Sequence, residues 1–153
     1  MPLFRRSPED PAEAAAPDAH LGRDQVAIAL EHFAGLPLPQ RAAELLRHLA
    51  PAIEAEGNLD PKTQNMGALL APLIPPLPDV WGKLSEQQRG DWAALKITLA
   101  EGFQALVQTR MLVRLEEPRN QIFTTVYYAN SRDGLAALER GDVAEVVARR
   151  LGD

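Results

Sequence analysis

The chain has no cysteine. That excludes disulfides, thiolate metal sites and a cysteine nucleophile, and it removes any redox argument for an extracellular location. Serine occurs only at Ser7, Ser85 and Ser131. The last two have the sequence setting of helix caps, a role that occupies the hydroxyl. There is no Gly-x-Ser-x-Gly turn and no phosphate-cradling glycine loop. Lysine is confined to Lys62, Lys83 and Lys96 while arginine and alanine abound, a bias read as the coding preference of a GC-rich bacterial genome. No run approaches the ~18 apolar residues of a membrane span. The start, Met1-Pro2-Leu3-Phe4-Arg5-Arg6, lacks the apolar stretch of a secretory signal. A cytoplasmic location and no membrane partner are therefore expected. The net charge of −5 gives no global pull toward nucleic acid.

What is present suits one mainly α domain. At 153 residues, 46% of them apolar and 24% charged, the chain can bury a core without staples. The strongest element runs from Ser85. Ser85-Glu86-Gln87-Gln88 fits a capping box. Trp92, Leu95, Leu99, Phe103, Leu106 and Val107 then form one apolar stripe at helical period. This is the expected central helix.

Residues 1–20 are rich in proline, alanine and acid and read as a disordered tail, with 21–153 as a single helical domain. Leu3-Phe4-Arg5-Arg6 reads as part of an unstructured terminus, with a short docking or membrane-touching motif as the alternative. Asp24 is the expected cap of a first helix with Val26, Ala29, Leu30 and Phe33 inward, ended by Gly35. A second helix, entered through Pro39, turns Leu45, Leu46, Leu49 and Ile53 inward, and Pro51 should kink or end it. Asp60-Pro61 reads as the start of a third helix with Met66, Leu69, Leu70 and Leu73 on its face. Leu73 to Pro78 reads as a stiff apolar linker. The PxxP spacing from Pro75 to Pro78 matches an SH3-type ligand, but the flanking apolar residues argue for burial. Near the end, Ser131 or Asp133 starts a helix with Leu135 and Leu138 inward, closed by Gly141. A last helix then carries Val143, Val146, Val147 and Leu151, with Asp142 and Glu145 as its cap signal.

Residues 110–129 allow two readings. Met111, Val113 and Leu115 alternate with Leu112, Arg114 and Glu116, and Ile122 to Tyr128 is the most β-branched and aromatic run. These features suit a β-hairpin. The other reading carries the main helix to about Glu116 and starts a further helix at Pro118. The helical reading is preferred, because every other segment is helical and a lone hairpin needs something to pack on. The expected fold is then a bundle of about six or seven helices, with the hairpin near 110–129 as the alternative. Arg110 falls on the centre line of the apolar stripe, which is read as the point where the helix leaves the core, the alternative being a buried arginine paired with an acid of another helix or subunit at an interface.

No motif carries chemistry. Glu44 and His48, four apart, share a helix face, but a metal needs a third ligand and none stands at a recognisable spacing. Adjacent acids such as Glu116 and Glu117 point apart and solvate a surface. No metal, cofactor or catalytic residue is expected. By elimination the expected function is that of a non-enzymatic interaction or regulatory protein, binding a protein partner or its own copy through helix faces. Trp81, Leu84, Tyr127 and Tyr128 are its candidate anchors, with core packing as their alternative role. Leu112-Val113-Arg114 and Glu117-Pro118-Arg119, followed by a Leu-rich helix, resemble the wing and dimerisation helix of winged-helix regulators over about thirty residues. That resemblance implies DNA binding, here through Arg114, Arg119 and Arg132, although Leu95 to Gln108 holds only Lys96 as a base where a recognition helix would lie. A third reading is a small-ligand pocket around Trp92, Phe103 and Tyr127.

Overall fold

A computed structural model describes residues 17–55, 60–75, 84–118 and 122–152. Its element order is α1 (Pro17–Ala34), α2 (Leu38–Ala55), α3 (Met66–Leu70) with a 3₁₀ turn (Ala71–Leu73), α4 (Glu86–Gln108), β1 (Leu112–Pro118), β2 (Thr124–Asn130), α5 (Arg132–Arg140) and α6 (Val143–Gly152). The fold is mainly helical with one small antiparallel hairpin. No described helix is long and apolar enough to cross a membrane.

Helix α4 is built as its sequence dictates. Ser85 Oγ accepts from the Gln88 amide at 3.1 Å and Gln88 Oε1 accepts from the Ser85 amide at 2.8 Å, a reciprocal cap that satisfies two orphan donors. With the start fixed, Leu95, Leu99, Phe103 and Leu106 all point inward and are fully buried. Helices α1 and α2 pack on this face, and α6 packs on α2. Leu45, Leu46 and Leu49 of α2 and Val146 and Val147 of α6 join the same core. Arg41 binds three elements together. It donates to the Phe33 carbonyl at 3.0 Å, to the Leu36 carbonyl at 3.2 Å and to Glu101 of α4 at 3.0 Å.

The preferred all-helical reading of 110–129 is overturned: β1 and β2 pair antiparallel, with Arg114 opposite Tyr128 and Leu115 opposite Tyr127. The reason lies at the end of α4. The Thr109 hydroxyl donates back to the Ala105 carbonyl at 2.7 Å. Arg110 turns left-handed at φ 63°. Its amide reaches the Val107 carbonyl at 3.1 Å and the Met111 amide reaches Leu106 at 2.8 Å. This pair of bonds is a Schellman stop with arginine where glycine is usual. The hairpin also has something to pack on. The Tyr128 ring stands edge-on to Phe103 at 4.7 Å between centroids, its amide donates to the Gln64 carbonyl at 2.9 Å, and Asn130 donates to the Ala50 carbonyl at 3.1 Å.

Other boundaries also move. Helix α1 begins at Pro17, so Asp24 lies inside it and does not cap it, and 17–20 are helical; residues 1–16 lie outside the described residues. Helix α2 runs through Pro51 to Ala55. Residues 60–64 form turns around the Asp60 carbonyl, and Asn65, not Asp60, caps α3 through its bond from the Ala68 amide at 2.9 Å. Leu135 is 40% exposed, and Gly134 and Ala137 fill the inner face of α5 instead. The cause is close approach. A Cβ on Gly134 would lie 2.1 Å from the Met111 carbonyl oxygen, so α5 can seat against Met111, just before β1, only through a glycine.

Candidate functional site

Fixing the inward face of α4 also fixes what faces out. Ile97 lies about 160° around the helix from the centre of the apolar stripe and is 61% exposed. Together with Trp92, Lys96 and Ala100 it forms one wall of a groove of about 710 Å³, whose other wall is Met66, Gly67, Leu70, Ala71, Ile74 and Pro75. The lining is almost wholly apolar. Its one charge, the Lys96 ammonium, sits 4.3 Å above the Trp92 ring centroid, where the ring's quadrupole attracts it. Ile97 and Ala100 also border a shallower trough of about 590 Å³ completed by Leu38, Arg41, Glu101 and Gln104. The two are therefore continuous along α4. From Trp92 to Gln104 the surface runs about 18 Å at 1.5 Å per residue.

The sequence-derived candidates fall in different places. Trp92 lines the groove, but Phe103 is fully buried and Tyr127 stands on β2, so the three do not form one pocket. Leu84 is 6% exposed and is covered within the chain. Trp81 and Arg119 lie outside the described residues. Tyr128 packs on Phe103, and Tyr127 lies on the opposite face of the hairpin beside Leu115. Arg114 and Arg132 do come together, around a cleft of about 420 Å³ that Arg110 and Asp133 also line. The hydrogen bond and charge of Glu116 raise the Arg114 pKa. Asp133 is held by Arg150 at 2.9 Å. Apart from Trp92, the residues of the groove are not singled out as a site by the sequence, above all Ile97. Its signal was an isoleucine on the polar side of α4.

A cleft of about 430 Å³ with a mixed lining lies between α2 and the α5–α6 joint and includes Glu44, Arg47 and Glu145. Glu44 bonds to His32 of α1 and, at 3.3 Å, to Arg47. Burial acts to raise the Glu44 pKa, but the His32 bond and charge, with Arg47 and His48, outweigh it and hold the carboxyl below its ordinary value. Glu44 is thus an ionised link between helices, and not a carboxyl poised to exchange protons near neutrality. Among the described residues, no group of three or more His, Asp or Glu is placed to hold a metal.

No protein-family model, curated protein or solved structure matches the chain.

Proposed function

We propose that the protein is a non-enzymatic interaction protein that takes an amphipathic helix of a protein partner into the groove beside α4. The observation that carries this reading is Ile97, a large apolar side chain 61% exposed in the middle of an apolar groove. Helix-in-groove recognition needs an apolar channel that receives side chains at i, i+3 or i+4, and i+7. The ~18 Å run of this surface matches about three helical turns. Lys96 at the rim favours an acidic residue beside the partner's apolar stripe, and the Arg41–Glu101 pair offers polar contacts at the far end.

The test is a photo-crosslinker placed at 97 or at 28 and activated in the native cells. Ile28 of α1 is 64% exposed and lines neither trough. The expected result is a single protein adduct at 97, mapping to an amphipathic helix, and none at 28. Adducts equal at both positions, or none at 97, would overturn the reading.

DNA binding is the second reading. It is favoured by the hairpin itself and by the three arginines, Arg110, Arg114 and Arg132, around one cleft. Glu116, Glu117 and Asp133 on the same region weigh against it. It requires a DNA affinity that falls steeply with salt.

A further inference from the structure

Among the described residues, the outer edge of β1 has no strand beside it. The Tyr128 amide turns away from β1 to reach Gln64. Arg114, directly opposite Tyr128, must then turn its own N–H and C=O away from β2, since paired residues of an antiparallel ladder share that phase. The same phase brings Leu112, Glu116 and Pro118 to the edge. Pro118, which has no N–H to give, stands where that absence costs no bond to β2. Among the described residues, no backbone group of Arg114 or Glu116 is bonded on this side. Above the edge, Val113, Leu115, Tyr127 and Ala129 share one face of the hairpin, opposite the face that packs on Phe103. Val113 is exposed and the other three are half-buried.

We propose that this edge pairs antiparallel with β1 of a second copy, giving a four-stranded sheet with Leu115 on the two-fold axis. Charge selects the register. Only residues that turn outward can exchange backbone bonds, so Arg114 can face Leu112, Arg114, Glu116 or Pro118 of the second copy, and facing Leu112 it would leave Glu116 and Pro118 of both strands beyond the paired stretch. Arg114 opposite Arg114 sets like charges together, and Arg114 opposite Pro118 sets Glu116 opposite Glu116. Like charges directly opposite are destabilising. Arg114 opposite Glu116 makes two symmetric ion pairs from side chains that are 46% and 52% exposed in the single chain. The same register puts Leu115 against Leu115 and brings Tyr127, Leu115 and their copies into one apolar row. It also sets Glu117 of the second copy opposite Val113, which borders the cleft lined by Arg110 and Arg132.

The experiment uses the full chain. Sedimentation at about 100 µM should find a dimer. Arg114→Glu and Glu116→Arg, each alone, should sediment as folded monomers, because each sets like charges opposite one another. Mixed one to one they should form a heterodimer, since the carboxylate introduced at position 114 of one chain then meets the guanidinium introduced at position 116 of the other. Neither variant keeps the pair within its own chain, so recovery on mixing reports contacts between chains. Leu115→Cys should form a disulfide dimer readily, the chain having no cysteine of its own. Its Cα atoms would lie ~4.5 Å apart across the axis, within disulfide range. Val113→Cys should not, its copies being ~13 Å apart along the strands. A monomeric wild-type chain, a mixture that stays monomeric, or linkage at 113 equal to that at 115 would each overturn the proposal.

Discussion

The Met111 amide donates to the Leu106 carbonyl at 2.8 Å, and both side chains are fully buried. This one bond, closing six residues, turns the chain out of α4 and into the hairpin. It forces Arg110 left-handed at φ 63°, a conformation that costs a residue with a Cβ about 1 kcal/mol or more. Arg110 is exposed. Arg110→Gly should therefore stabilise the protein by about 1 kcal/mol. Urea unfolding would show a higher midpoint with an unchanged slope. A lower midpoint would mean that the arginine side chain has a structural role.

Two glycines should respond in opposite directions. Gly90 lies within α4 with open space around it, whereas a Cβ at Gly134 would strike the Met111 carbonyl. Gly90→Ala should stabilise by about 0.5–1 kcal/mol through helix propensity. Gly134→Ala should destabilise by about 1–3 kcal/mol, because backbone must move to relieve the overlap. Thermal melts of the two variants check both signs.

The α1–α2 link should weaken in acid. Glu44 is held below the ordinary carboxylate value of 4.5 in the folded chain, so the unfolded chain binds the proton more readily and stability rises with pH through that range. The contribution is complete above 4.5 and is lost as pH falls through the lowered folded-state value. Glu44→Gln should cost stability at about pH 6 and much less at about pH 3. A cost independent of pH would show that the carboxylate charge is not what the site uses.

The same stop motif explains why part of this fold was legible and part was not. After α5, Gly141 takes φ 78° while its amide reaches Leu138 and the Asp142 amide reaches Ala137. Glycine announces that end in the sequence. Arg110 performs the same turn after α4 without announcing it, so the helical period reads on into β1. The Ser85 box was legible because both of its partners are local. The capping by Asn65 was not, because Asp60-Pro61 offers an equally good local start and the turn around the Asp60 carbonyl wins. The hairpin depends on Phe103, Gln64 and Ala50, contacts that no local pattern contains. The groove was hidden for a related reason. Its walls come from α3 and α4, about thirty residues apart, and its centre, Ile97, lies off the periodic stripe that defined α4.

Whether Ile97 anchors a partner helix is decided by calorimetric titration. The partner identified by crosslinking at 97 is titrated against the wild-type chain, Ile97→Glu and Ile28→Glu. A central apolar anchor is worth about 2 kcal/mol or more, so Ile97→Glu should weaken binding by about thirtyfold or more while Ile28→Glu leaves it unchanged. Equal affinities for Ile97→Glu and the wild-type chain would contradict a groove built around Ile97.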